Sequence, residues 1–599
     1  MKRVSSLSIP LVLAACAASE AVDLVLVNGN VYTLDDEVRR ATAIAIDGER
    51  IAAVGSDATI RALAGPGTEV IDLDGAFVTP GFNDAHVHVA GTGALLTGLN
   101  LLDVHEPGAF VERIKGAAER LPAGSWITRG DWGAYEQWEA GSTGRERAGE
   151  IAAGPFTPHR DLIDSITQDH PVFVRRFDGS MYLANTRALE AAGITADTRA
   201  PQGGVIERDR SGRLTGILRG TALRLVSRVI PPISFDQRLA QVRAVMREAR
   251  EGGVTTIQDI TSAEQLKAYR ELQRRGELTV RFLIRPTLDN VVHTAALGIT
   301  QGLGDDWIKF IGYKAWVDGI MGNSSAMFFR PYDHDPTNKG IVRQIMLPEA
   351  RPGVALSMTE SQKYTDFGVG NLERLLVEAI PTGLTPHVHA IGDKGVRILL
   401  DIYERVLTEH DLVNADHRWR VIHAQVVHPD DFRRFGELNL VAEVNPYHIS
   451  DDMRWMEERI GAERSKGAYA FRSLKENGAV LIFGSDSPGT NAARYYLSPV
   501  YGLYAAVTRQ TLNGEPQEGW FPEQRLTIRE AMEAYTKGPA WAAFEEDIKG
   551  TLTVGKLADI SVFDTDLVEA GETDPARLLD ARVLYTIVGG RVVYRREDS

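Results

Sequence analysis

The stretch FVTPGFNDAHVH, residues Phe77 to His88, governs how the rest of the chain is read. It has the apolar texture of a strand that ends in His86 and His88. Side chains alternate along a strand, so these two imidazoles point to one face, where they can share a metal ion. Alone, an HxH pair is more often coincidence than a ligand pair, so its context matters. LTPHVHAIGD places His389 at the end of a later strand, with His387 two residues before it on the same face. WRVIHAQ places His423 at the end of the next strand, and VLIFGSD puts Asp486 at the end of the last. Barrel enzymes gather their sites at the C-terminal ends of parallel strands. Imidazoles with a carboxylate at that rim suit zinc or a similar borderline metal. IKFIGYKAWVDG carries Lys314 near its end. An ammonium has no lone pair to offer a metal. Carboxylated by CO₂, however, it becomes a carbamate anion able to bridge two ions. A lysine in a strand is otherwise more often a salt-bridge partner.

Around these motifs, helical and strand patterns alternate. FDQRLAQVRAVMREAREGG, LERLLVEAI and GVRILLDIYERVL have apolar residues three and four apart, as helices do. Short apolar runs such as VTTIQDI, RFLIRP and LVAEVNP lie between them. Strands alternating with helices predict a parallel α/β sheet, and so many repeats favour a closed (β/α)₈ TIM-like barrel over an open sheet. Residues of about 100–230 fit the repeat poorly and read as an inserted α/β segment beside the site. At both ends, short alternating strands are punctuated by Asn-Gly, Asp-Gly and Gly-Gly turns. Neither end buries a core alone, so residues 23–79 and 546–599 are expected to pair into one small β-sandwich flanking a barrel at 80–545.

The chain's 599 residues exceed a typical domain several-fold, in keeping with a barrel plus modules. A net charge of −15 without long basic runs argues against nucleic acid or anionic membrane surfaces as partners. The single cysteine, Cys16, excludes internal disulfides and thiolate zinc sites. Lys2 and Arg3 precede an apolar run from Leu7 to Ala15, the layout of a secretory signal over residues 1–22. Leu13-Ala14-Ala15-Cys16 looks like a lipobox, which predicts a periplasmic protein lipid-anchored through Cys16. Plain secretion is the alternative. No later run is long and apolar enough to span a membrane.

With these motifs in order, the chain resembles the amidohydrolase superfamily, in the branch of the YtcJ-like proteins and N-substituted formamide deformylases. The resemblance runs from about residue 23 to 597, through VTPGFNDAHVH, KAWVDG, VHAIGD, IHAQ, FGSDSP, AYTKGPAWAAF and GTLTVGKLADISVFD. It implies that His86 and His88 hold the more buried metal. Carboxylated Lys314 would bridge to a second ion on His389 and His423, and Asp486 would bind metal and shuttle protons. One or two ions are both compatible with it. The chain departs from the pattern at Asp178-Gly179-Ser180, where relatives carry DGH. It departs again at Asn445-Pro446-Tyr447-His448, where they carry Gln-Pro-Thr-His, and at Ile422, where they carry Glu. These changes bear on substrate rather than on ligands.

The implied reaction is hydrolysis of a carbon–nitrogen bond in a small amide-like molecule by metal-activated water, Asp486 acting as base and then acid. Esters and cyclic amides are alternative substrates, and a non-catalytic metal- or metabolite-binding lipoprotein is the alternative from another class. His448 is a candidate for polarising the carbonyl. Tyr447, Ser180 and Trp132, with Tyr135 and Trp138, are candidates for the pocket wall. Oligomeric state is open, a homodimer included.

Overall fold

A computed structural model describes residues 21–101, 104, 106–132, 156–176, 181–343, 371–489 and 495–597. The candidate residues Cys16, Tyr135, Trp138 and Ser180 lie outside these.

Two parallel sheets form the centre. One has four strands, in chain order β1 (Phe82–Val87), β2 (Val254–Ile260), β3 (Arg281–Arg285) and β4 (Ile308–Phe310). The other has five: β5 (Gly312–Trp316), β6 (Thr385–Ala390), β7 (Arg420–His423), β8 (Val441–Val444) and β9 (Val480–Phe483). Only Ile311 separates β4 from β5. The strands are rich in apolar residues because both faces are covered, and every residue of β1, Asn83, Asp84 and His86 included, is buried. Two of the helices between them start where the sequence provides a cap. Ser234 with Gln237 and Ser262 with Gln265 form reciprocal capping boxes for Phe235–Glu251 and Ala263–Arg274.

Isolated backbone bridges join the two sheets at two places. On one side Thr287 bridges Lys314, and the Lys314 N–H donates to the Pro286 carbonyl at 2.9 Å. On the other, Val87 bridges Ser487 and the His88 N–H donates to the Ser487 carbonyl at 2.8 Å. Gly484 makes this second seam possible. A Cβ there would lie 2.5 Å from the His86 nitrogen, so any side chain would push β9 away from β1.

The chain ends share one six-stranded sheet, in which Phe77–Pro80 pairs antiparallel with Ile560–Phe563 and parallel with Asn30–Tyr32. Leu24, Ile44 and Ile71 of a neighbouring four-stranded sheet join Val78, Ile560, Val562 and Ile587 in one apolar cluster. Arg281 of β3 clamps this module with two hydrogen bonds to the Asp559 carboxylate, at 2.7 and 2.9 Å. Ile560→Val removes one methylene from the joint and is expected to cost about 0.5–1.5 kcal/mol in chemical denaturation. An unchanged midpoint would mean that the joint lies outside the cooperative unit.

Six strands, the first beginning at Leu99 and the last ending at Gly220, build a separate sheet with its own apolar clusters. Trp132 belongs here, and the expectation that it walls the substrate pocket is corrected. It is fully buried and meets Phe110 edge-on at 5.8 Å. The strand Ile127–Trp132 turns it into this segment's core, where a large apolar ring is most stable. Among the described residues, no helix is long and apolar enough to cross a membrane.

Candidate active site

The ends of β1, β5, β6, β7 and β9 converge at one rim. His86 is buried, and its Nε2 lies 3.5 Å from Asp486 Oδ1 and 3.5 Å from Lys314 Nζ. His88 Nε2 lies 3.2 Å from the same Asp486 oxygen. The His423 ring stands 5.2 Å from that of His86 and 4.6 Å from that of His389. His86, His88 and Asp486 have donor atoms within 4.8 Å of one another, as do His423, His448 and Asp486.

Backbone strain helps to aim these groups. His423 (φ 68°) and Asp486 (φ 57°) both occupy the left-handed region, which is uncommon for residues other than glycine. Asp486 is zipped to the strand of His86 by its own N–H, which donates to the His86 carbonyl at 2.8 Å. Asp84 ties the same seam, accepting from the His86 and Ser485 N–H groups at 3.1 and 2.8 Å.

Partners outside the cluster fix the imidazole tautomers. His86 Nδ1 donates to Glu443 Oε1 at 2.6 Å, and His423 Nδ1 to Asn445 Oδ1 at 2.7 Å, which leaves both Nε2 lone pairs facing inward. His389 is reversed. Its Nε2 donates to the Gly319 carbonyl at 2.9 Å, which leaves Nδ1 as the lone-pair nitrogen. Outward hydrogen bonds of this sort characterise metal-ligating histidines. Burial, with nearby cationic groups, drives His86 and His389 well below the usual imidazole range and His423 down to about 3. They are therefore neutral at neutral pH, as ligands must be. His448 is pushed to about 4 by burial, and its buried Nε2 has no hydrogen-bond partner although it lies 3.7 Å from Asp486 Oδ2. Such an orphaned acceptor beside a carboxylate fits a site made for a cation.

Lys314 is fully buried, and its amine faces His86. Burial and then the Arg285 guanidinium push it down to about 7, against the pull of Glu443 and Asp486. Burial works to raise Asp486. The hydrogen bond from His88 is the largest effect that opposes this, and the carboxyl lies well below the usual carboxylate range.

Beneath the rim lies a network that sequence reading missed. Glu443 accepts from Arg285 at 2.9 Å and Arg420 at 3.0 Å, with all three side chains fully buried. Burial raises the Glu443 carboxyl, but the two guanidiniums more than offset this and hold it at about 2. The signal was a charged residue inside each apolar strand, in RFLIR, RVIH and VAEV. His387 sits in this lower layer, its Nε2 bonded to Thr385 at 2.6 Å, and is not a second rim imidazole.

A cavity of about 230 Å³ opens over the rim, lined by His88, Lys314, His389, His423, His448 and Asp486. Its wall includes Tyr495, which stacks on His448 at 4.2 Å. Tyr447 does not line it, and that expectation is corrected. The first turn of helix Tyr447–Asp452 tips His448 inward and leaves Tyr447 behind Tyr495, at 5.5 Å.

A cluster of imidazoles around a carboxylate, at the C-terminal rim of parallel strands, has the make-up of a metal-dependent hydrolase's centre. Residues 69–594 match the sequence model of the amidohydrolase family, and the chain belongs to that family. It is 32% identical over 590 residues to Protein LONG AFTER FAR-RED 3 of Arabidopsis thaliana, covering 96% of this chain and 92% of that protein. It is 27% identical to the N-substituted formamide deformylase of Arthrobacter pascens, covering 96% and 99%. The crystal structure of an uncharacterized metal-dependent hydrolase from Pyrococcus furiosus superposes with a TM-score of 0.68 at 25% identity, covering 91% of this chain and 99% of that one. The family resemblance is thus borne out. The chain is a hydrolase acting on carbon–nitrogen bonds, and its centre is that of a divalent metal.

Proposed function

We propose that this enzyme hydrolyses a small non-peptide amide at a zinc centre held by His86, His88, Lys314, His389, His423 and Asp486, on sheets that together make one closed (β/α)₈ barrel. The observation that carries the reading is the set of outward hydrogen bonds on His86, His389 and His423, which leaves each ring a free lone-pair nitrogen, that of His86 lying 3.5 Å from Asp486. A bound divalent ion would supply a water acidic enough to ionise near neutral pH and would polarise the substrate carbonyl. Asp486 accepts the proton of the attacking water and delivers it to the leaving nitrogen as the carbon–nitrogen bond breaks, giving a carboxylic acid and an amine. Its oxygens lie within 3.2–3.7 Å of His88 and His448, so the carboxylate is positioned without side-chain reorganisation. His448 faces the cavity and is placed to steady the carbonyl oxygen. Lys314, buried and easily deprotonated, is suited to carboxylation and so to bridging two ions. The lipobox-like run at Cys16 supports export and lipid anchoring.

The test is a hydrolysis screen of zinc-loaded protein over N-formyl, N-acyl, cyclic amide and ester compounds, with metal content measured in parallel. Amide turnover is expected, and turnover of esters alone would reject the reading. Lys314→Ala should lose bound metal together with activity. Full metal content in that variant would remove Lys314 from the ligand set.

A further inference from the structure

The cavity over the centre carries a cation that the hydrolytic chemistry does not use. Arg343 lines it, half-buried, in company with Trp316, Ile320, Met321 and Ile391. Its backbone N–H donates to the Val317 carbonyl at 2.9 Å and its Nε–H to the Asp318 carbonyl at 3.0 Å, so the loop that follows β5 holds the guanidinium in place. The nearby Asp318 carboxylate is already engaged by the N–H groups of Met327, Ile391 and Gly392, at 2.8, 3.0 and 2.9 Å. Among the described residues, no carboxylate lies within ion-pair distance of Arg343, whereas the buried arginines 281, 285 and 420 are each matched with one. A guanidinium fixed by Nε presents its terminal N–H groups as a fork that suits a carboxylate. Trp316, Ile320, Met321 and Ile391 give the cavity an apolar stretch of wall, and Gln425 and Asp452 line it as well.

We propose that Arg343 is a specificity-determining residue that receives a carboxylate of the substrate, which makes the substrate an N-acylated amino acid with a small apolar side chain. This rests on the amide-hydrolase reading above. Water adds to the acyl carbon, the carbon–nitrogen bond breaks with the proton passing to nitrogen, and the products are a carboxylic acid and a free amino acid.

The test compares N-acetyl-DL-leucine with N-acetyl-DL-leucinol, which keeps the amide and side chain and carries a neutral hydroxymethyl group in place of the carboxylate. Zinc-loaded protein is expected to favour the acid at least tenfold in kcat/KM, mainly through KM. Arg343→Met should collapse that ratio with metal content unchanged, and Arg343→Lys should restore part of it. Calorimetric titration of metal-depleted protein with both compounds gives a readout independent of turnover, and the acid should bind more tightly there too. Equal rates and equal binding, binding of neither compound, or an Arg343→Met variant that lowers both compounds alike would overturn the proposal. Hydrolysis of the alcohol without preference for the acid would overturn it while leaving the amide-hydrolase reading intact. Tighter, Arg343-dependent binding of the acid with no amide hydrolysed would support the carboxylate anchor and sink the amide-hydrolase reading instead.

Discussion

Asp486→Asn is expected to lower kcat per bound metal by roughly 100- to 10,000-fold, the range typical of losing a positioned general acid–base. Asn matches Asp in shape and tolerates the left-handed backbone that this position requires (φ 57°), so the loop and its N–H bond to the His86 carbonyl should survive. The substitution therefore removes charge and basicity and little else. Asp486 touches both donor clusters, with Oδ1 3.2 Å from His88 Nε2 and Oδ2 3.7 Å from His448 Nε2, so metal affinity should also weaken. Rates are to be normalised to metal measured in the same sample, and the denaturation midpoint should stay close to that of the parent. A fall of less than tenfold per bound metal would show that another group carries the proton.

Glu443→Ala should have the largest effect on stability of any single change in the centre. It leaves Arg285 and Arg420 buried without their shared carboxylate, and breaking a buried ion pair from one side costs about 3–5 kcal/mol. Some of each guanidinium's bonds survive, through the Gln258 and Ala542 carbonyls, at 2.7 and 2.6 Å, so the cost belongs to the charge rather than to every donor. The same change frees His86 Nδ1, whose 2.6 Å bond to Glu443 fixes the tautomer that aims Nε2 into the site. Loss of such an outer partner typically weakens metal binding about 10- to 100-fold. Denaturant unfolding and competitive chelation measure the two effects separately. A variant with parental stability and metal affinity would reduce Glu443 to a bystander.

Short-range pattern alone determined much of this protein. Strand alternation put His86 and His88 on one face, and the 3.6-residue period marked helices such as Phe235–Glu251. Family motifs marked Lys314, His389, His423 and Asp486, because each lies toward or just beyond the end of an apolar run. Tertiary structure decided what periodicity does not encode. Trp132 has the composition of a pocket wall, yet its strand turns it into a separate core. His387 and His389 share a strand face, but two residues of rise put one in the lower layer and the other at the rim. Arg285, Arg420 and Glu443 come from three strands, and their charges become a network only when those strands bring the three buried side chains together. Arg343 is one arginine among many in the sequence. The carbonyls of Val317 and Asp318 hold it over the cavity, and contacts between segments so far apart in function depend on how the chain folds back rather than on any local run of residues.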